Sequence, residues 1–206
     1  GQMSGFNYID YIAPGIIMMA VINNAYANVA SSFFSAKFQN HIEELLIAPI
    51  PNYLILAGYV AGGAARGLLV GLIVTVVSLF FTALPVQHIF MTLSMVILSA
   101  IMFALGGFIN AIYAKSFDEI AIIPTFILTP LTYLGGIFYS IDLLPEFWQQ
   151  ASLFNPILYM VNAFRYGFLG VSDIPVSFAF SIIILCIIGL TAFALYLLNK
   201  GTGIRH

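Results

Sequence analysis

Charged residues are scarce in this sequence of 206 residues. Asp, Glu, Lys and Arg together make up 7% of the chain, whereas hydrophobic residues make up 62%. A soluble domain carries about 25% charged residues, because its surface has to be hydrated. Six bases and eight acids cannot cover a water-facing surface of this size. A water-soluble globular domain is therefore excluded.

Cysteine and histidine are also rare. The one cysteine, Cys186, lies in an apolar run, so the chain can form neither an internal disulfide nor a thiolate metal site. His41, His88 and His206 are far apart in the sequence, which argues against a metal site. The net charge is -2 and no basic cluster is present, so we expect no nucleic-acid partner.

Catalytic motifs are missing as well. The sequence has no HExxH, no GxSxG and no Gly-Lys dipeptide, which a phosphate-binding P-loop requires. We therefore expect a chain that is not an enzyme and has no cofactor of its own.

Long apolar runs are what the sequence has instead. Five stretches are near or above the roughly 20 residues that cross the hydrocarbon layer as a helix. They are residues 12–34, 54–84, 89–113, 120–141 and 176–198. The sequence therefore predicts an all-α, polytopic membrane protein, with residues 1–206 forming a single transmembrane domain of five spans.

The second run is too long for one span, since its residues would reach roughly 46 Å as a helix. Pro85 ends the run, so we expect its membrane part to begin near residue 65. Arg66 would then lie at a headgroup boundary, where its long side chain can snorkel to water.

A sixth apolar region, residues 147–169, is interrupted by Asn155 and Pro156. Proline removes a helix donor and restricts the residue before it, so neither half is long enough to cross. We expect two short helices within an outer segment, residues 142–175, that either lie in the interface or dip into the membrane as a re-entrant hairpin.

The basic residues predict an orientation. With five spans, one side holds Lys37, Arg66, Lys115, Lys200 and Arg205. The other side holds only Arg165. The positive-inside rule therefore predicts an N-terminus outside and a C-terminus in the cytoplasm.

The predicted cytoplasmic connection, residues 35–52, is the most polar part of the chain. It can form a short helix with one apolar face, ended by prolines. Two interpretations stay open: a helix lying on lipid, or a docking element for a partner protein. The candidate docking residues are His41, Ile42, Glu43, Glu44, Leu45, Leu46 and Pro49.

Glycines recur at intervals of four in the second run. Small residues at this spacing let two helices approach closely in lipid. We expect a role in helix packing for Gly58, Gly62, Gly63, Gly67 and Gly71.

Acidic residues all lie near the ends of apolar runs. Transporters driven by ion gradients usually hold an ionisable residue deep in the membrane, so the pattern favours another energy source. A gradient-driven secondary transporter or channel and a membrane scaffold remain as alternatives.

Three local patterns occur in order along the chain. They are YIAPG at residues 11–15, IEELLIAPI at 42–50 followed by Gly58-Tyr59, and GIFYSIDLLP at 136–145 followed by Asn155-Pro156 and Arg165. Together they cover about residues 8–170 and resemble the permease subunits of type-2 ATP-binding-cassette exporters.

This resemblance implies a bacterial inner-membrane permease that dimerises among membrane lipids and binds two cytoplasmic ATPase subunits, which hold the ATP and Mg. It would export an amphipathic, lipid-linked or polysaccharide substrate. The stretch from Gln39 to Pro49 would be the coupling helix on the ATPase. The exit-side re-entrant segment would contain Pro145, Asn155, Pro156 and Arg165.

The resemblance begins at the second span of that family. Its members usually have six spans, preceded by a cytoplasmic amphipathic helix. We therefore expect the helix and the first span to be missing from these 206 residues.

Overall fold

The computed structural model describes residues 2–3, 6–39, 41 and 50–201, and most of these lie in helices. Two short strands, β1 (Gln2–Met3) and β2 (Phe6–Asn7), pair antiparallel before the first helix. The helices are α1 (Tyr8–Phe38), α2 (Asn52–Ser78), α3 (Ile89–Tyr113), α4 (Phe117–Leu134), α5 (Glu146–Ser152), α6 (Pro156–Leu169) and α7 (Val176–Lys200).

Five helices of the described residues, α1 to α4 and α7, are long and apolar enough to cross a membrane. The prediction of an all-α polytopic membrane protein is confirmed. The bounds of α3 agree with the predicted span, and α1 and α7 extend a few residues beyond theirs. Helix α4 contains a π-helical segment, Pro124–Leu128, which begins where a proline removes a backbone donor.

Helix α2 differs from the prediction at its C-terminal end. It begins at Asn52 and ends at Ser78, although the apolar sequence continues to residue 84. Residues 82–86 lie in a non-helical connection, so apolar composition did not mark the end of the helix. The prediction that Arg66 lies at the end of its span is wrong, because Arg66 is near the middle of α2.

The predicted break at Asn155 and Pro156 is confirmed, since α5 ends before it and α6 begins at Pro156. Helix α6 packs against α1, α3 and α7, and 12 of its 14 residues are buried. It therefore lies inside the bundle rather than along its surface. Helix α5 is more exposed, with Phe147 72% exposed.

The bundle has two ends, which we name after one residue at each. At the Lys37 end, α1, α3 and α7 finish and α2 and α4 begin; Lys37 reaches the last residues of α3, and Asn52 donates to Asn199 at 2.7 Å. At the Arg165 end lie the opposite helix termini and residues 135–175. The backbone of His88 donates there to Gly167 at 2.9 Å.

Candidate functional site

A buried arginine joins three parts of the chain at the Arg165 end. The Arg165 side chain is 1% exposed. Its Nη1 donates to the Tyr11 hydroxyl at 2.9 Å, its Nε donates to the Tyr11 carbonyl at 3.3 Å, and its Nη2 donates to the Gly136 carbonyl at 2.6 Å. The guanidinium carbon lies 3.9 Å from the centroid of the Tyr11 ring. A buried cation is thus held by carbonyl oxygens, a hydroxyl and an aromatic face.

Gly136 supplies its carbonyl from a turn that suits glycine. Its φ is 71°, in the left-handed region where a side chain is strained. The next residue, Ile137, packs so closely on α1 that a Cβ placed at Gly15 would lie 2.9 Å from an Ile137 methyl group. The turn after α4 is therefore fixed both to Arg165 and to the start of α1.

Asn155 fixes the start of α6. Its Oδ1 accepts a hydrogen bond from the backbone of Ile157 at 3.0 Å, as an N-cap residue does, and its Nδ2 donates to the Leu131 carbonyl at 2.6 Å. Pro156 follows as the first helical residue, where its missing donor costs nothing. Pro145 is the residue just before α5, at its N-cap position.

A second set of polar residues extends this cluster beyond α6. Asn162 accepts through its side-chain oxygen from the backbone of Asp173 at 3.0 Å, and the Ser140 hydroxyl donates to the Asp173 carboxylate at 3.2 Å. Nearby, the Tyr139 hydroxyl donates to the Tyr133 carbonyl at 2.8 Å, and burial raises the pKa of Tyr139. Hydrogen bonds therefore connect the segment before α6 with the segment that follows it.

At the opposite end, Lys37 closes the terminus of α3. Its Nζ donates to the carbonyls of Ile112 and Ala114 at 2.7 and 3.0 Å. The last carbonyls of a helix have no partner within it and carry partial negative charge, so a lysine there stabilises the helix. The structure places Lys37, Lys115 and Lys200 at the same end of the bundle, as the charge pattern predicts.

The predicted docking segment falls almost entirely outside the described residues. Of its members the structure describes only His41, which is exposed. The remaining residues, Ile42, Glu43, Glu44, Leu45, Leu46 and Pro49, lie outside the described ranges.

The glycines of α2 face two directions. Gly63, Gly67 and Gly71 lie against α1; a Cβ placed at Gly67 would be 2.8 Å from the Cβ of Ala25. Gly58 and Gly62 have no atom of a described residue within 4 Å of that position. One stripe therefore packs two helices within the protomer, whereas the packing role predicted for the other two glycines finds no partner among the described residues.

A cleft opens between α1 and α4. It has a volume of about 330 Å³ and is lined by Tyr26, Ala27 and Ser31 on α1 and by residues 117–125 of α4. The Tyr26 hydroxyl is buried and has no hydrogen-bond partner in the described part of the chain. The cleft combines an apolar wall with the hydroxyl-bearing side chains of Ser31 and Thr125, whereas the Tyr26 hydroxyl is buried behind it.

The sequence pointed to Tyr11 and Arg165 separately but not to their contact. Both belong to the patterns that carried the family resemblance, and Arg165 is the one base predicted on its side. The contribution of Gly136 and the network of Asn162 and Asp173 were missed, because polar residues of this kind are common in connections.

Comparison with known proteins places the chain among transport permeases. Residues 1–169 match the profile of the family described as ABC-2 type transporter. The chain is 54% identical over all 206 residues to the inner membrane transport permease YadH of Escherichia coli K12, and the match covers 80% of that protein. The YadH protein of Shigella flexneri shows the same identity and coverage.

A more distant similarity extends over most of the chain. Nodulation protein J of Rhizobium leguminosarum bv. viciae is 23% identical over 171 residues, which cover 82% of this chain and 66% of that protein.

Proposed function

Because the chain belongs to the ABC-2 type transporter family, we propose that it is the transmembrane subunit of an ATP-driven exporter in a bacterial inner membrane. The observation that carries this proposal is the 54% identity, along the entire chain, to a protein named as an inner membrane transport permease. The sequence has no P-loop, so the energy has to come from a separate ATPase. The proposed assembly contains two permease copies and two ATPase subunits, which hold ATP and Mg.

In this proposal the Lys37 end faces the cytoplasm. Three lysines lie there, as expected for the cytoplasmic side of a membrane protein. The chain between α1 and α2, with Glu43 and Glu44, begins at this end and would dock on the ATPase. The C-terminal end of α7 lies at the same end and would also be cytoplasmic.

Helix α1 can carry motion from one end to the other. It has 31 residues, which corresponds to about 46 Å as a helix, and it packs against α2, α3 and α6. Its C-terminal end leads into the proposed docking segment, and Tyr11 near its N-terminal end binds Arg165. A displacement of the docking segment would therefore be relayed along a packed, rigid element to the Arg165 end.

The Arg165 cluster would act as the exit-side closure. Arg165 holds the start of α1, the turn at Gly136 and helix α6 together, and a packed interface of this kind has discrete arrangements rather than a continuous range. Breaking or shifting the contact between Tyr11 and Arg165 would release α1 from α6. We infer that ATP-driven motion of α1 opens the exit by this release.

The apolar cleft beside Tyr26 is consistent with an amphipathic substrate. Its walls suit an acyl or other apolar part, while the side chains of Ser31 and Thr125 can bind a polar group. A lipid-linked polysaccharide would present the same two kinds of surface.

Purification of the full-length protein from its native membrane tests the proposal. We expect an ATPase subunit to co-purify, and the pair reconstituted in vesicles should move substrate only when ATP is supplied. Transport by the permease alone, driven by an ion gradient without ATP, would instead support the secondary-transporter alternative and contradict the proposal.

A further inference from the structure

Helix α4 is built from three segments. Its first segment, Phe117–Ile123, and its last segment, Thr129–Leu134, are α-helical, and the π-helical residues Pro124–Leu128 lie between them. The hydroxyl and the backbone N–H of Thr129 both donate to the Pro124 carbonyl, five residues earlier. Helices bend at prolines and at π-helical segments of this kind. Helix α4 therefore has a defined position at which its two ends can change their angle.

A side chain from α3 completes the first segment. Pro124 has no N–H, so it cannot donate to the Ile120 carbonyl four residues before it, as a helical residue does. The Asn110 side chain, which is 7% exposed, donates to that carbonyl at 3.1 Å. Because an unpaired buried carbonyl is costly, this bond holds the first segment of α4 on the last turn of α3.

The first and last segments of α4 are attached to different partners. The first segment contacts α1 through the rings of Phe117 and Phe34, whose centroids are 4.8 Å apart, and it contacts α3 through Asn110. The last segment is held by the start of α6, where Asn155 donates to the Leu131 carbonyl at 2.6 Å. The π-helical residues thus lie between two separate attachments, where one segment can turn relative to the other.

The first segment also forms one wall of the cleft between α1 and α4. Residues 117–125 contribute to this wall, opposite Tyr26, Ala27 and Ser31. The α1 wall is fixed, because α1 and α3 are in close contact there and a Cβ at Gly107 would collide with the Tyr26 carbonyl. A rotation of the first segment about the π-helical residues would therefore change the width of the cleft.

We propose that Asn110 is a positioning residue for this cleft: by holding Ile120, it sets the angle of the first segment of α4 and keeps the cleft narrow. Release of the bond lets the segment turn about the π-helical residues and opens the cleft to the substrate. The inference rests on the proposed transport function, because it assigns the cleft to the substrate. The angle of α4, however, is a property of the permease alone and is measured without an ATPase.

The test measures the width of the cleft by electron paramagnetic resonance. Spin labels are attached to Ala27→Cys and Ala121→Cys, two exposed positions on opposite walls, in the full-length Cys186→Ser protein in nanodiscs. A hydrogen bond between membrane helices contributes modestly, so Asn110→Leu should raise the population with the longer distance about threefold to tenfold. The matched control is Asn24→Leu, since the Asn24 side chain donates within its own helix and its loss should leave this population unchanged.

A proline replacement makes the test specific. Pro124→Ala restores a backbone donor to the Ile120 carbonyl, so adding Asn110→Leu to Pro124→Ala should not widen the cleft. Pro130→Ala is the matched control, because it restores a donor to a different carbonyl and should leave the full effect of Asn110→Leu in place. If Asn110→Leu alone fails to fold, the same comparison is made on folding, which Pro124→Ala should rescue and Pro130→Ala should not.

Three results would overturn the proposal. One is an unchanged distance distribution in Asn110→Leu. The second is a change of equal size with and without Pro124→Ala, which would mean that Asn110 acts by packing alone. The third is rescue by Pro130→Ala to the same extent as by Pro124→Ala, which would make a general straightening of α4 the cause.

The assembled transporter tests the release of the bond. With the ATPase bound, ATP should raise the population with the longer distance in wild type, and no change in a complex that transports would also overturn the proposal. The comparison of the Asn110 and Pro124 variants needs no ATPase. Failure of an ATPase to co-purify would therefore contradict the proposed function and leave that comparison intact.

Discussion

Arg165 and Tyr11 are 154 positions apart in the sequence, yet the arginine donates hydrogen bonds to both the carbonyl and the hydroxyl of the tyrosine. The contact joins α6, which does not span the bundle, to the first turn of α1, the longest helix among the described residues. It also gives a buried cation most of its partners, so neither residue can be changed without cost to the other.

Replacing Tyr11 tests this contact. Tyr11→Phe keeps the ring and the backbone carbonyl but removes the hydroxyl that accepts from Arg165. A hydrogen bond to a charged group contributes about 1.5–3 kcal/mol, so the melting temperature in detergent should fall by about 5 °C. The control is Tyr8→Phe, since Tyr8 is 41% exposed. Equal melting temperatures for the two variants would contradict the assigned role.

The same substitution, glycine to leucine, should affect stability differently at Gly67, which faces α1, and at Gly62, which does not. Gly67→Leu places a side chain where even a Cβ would collide with Ala25 of α1, so the helices have to separate, at a cost of about 3 kcal/mol. A Cβ placed at Gly62 has no atom of a described residue within 4 Å, so Gly62→Leu should fold normally. Thermal unfolding followed by size-exclusion chromatography compares them. A greater loss of stability in Gly62→Leu than in Gly67→Leu would contradict the packing of α2 on α1.

Asn155 has two separable functions. Asn155→Ala loses both the cap of α6 and the bond to the Leu131 carbonyl, and should destabilise the protein by about 2 kcal/mol. Asn155→Ser keeps a neutral acceptor for the Ile157 backbone but loses the donor to Leu131, so its melting temperature should fall between those of wild type and Asn155→Ala. If the Ser variant is as unstable as the Ala variant, the cap contributes nothing.

Lys37 is predicted to stabilise the end of α3. Lys37→Met removes the donor to the Ile112 and Ala114 carbonyls and should cost about 1–2 kcal/mol. Lys115→Met is the matched control, because it removes an equal charge from an exposed position at the same end. Thermal unfolding of both variants at low salt provides the comparison, and equal losses would mean that general charge rather than the cap is responsible.

Much of this fold follows from the sequence, for physical reasons that particular residues illustrate. Asn155 and Pro156 interrupt a helix by local chemistry, so the break could be placed without a structure. The end of α2 could not, because residues 79–84 are as apolar as the helix before them, and this error placed Arg66 near the end of its span instead of near the middle of α2.

Contacts between distant helices could not be predicted from the sequence. The spacing of Gly67 predicts that it packs against some helix, but only the fold assigns α1 as the partner and leaves Gly62 open. In the same way Arg165 was expected at the outer side, while its bonds to Tyr11 and Gly136 depend on how three distant segments come together.

Access to Ser140, at the Arg165 end, tests the proposed relay along α1. Ser140 is 5% exposed, so a cysteine there reports opening of the cluster. The full-length Ser140→Cys, Cys186→Ser protein, assembled with its ATPase in vesicles, is labelled with an impermeant maleimide. We predict that ATP accelerates labelling at least tenfold and that Glu44→Lys abolishes the acceleration. Labelling at the same rate with and without ATP would contradict the relay from the Lys37 end to Arg165.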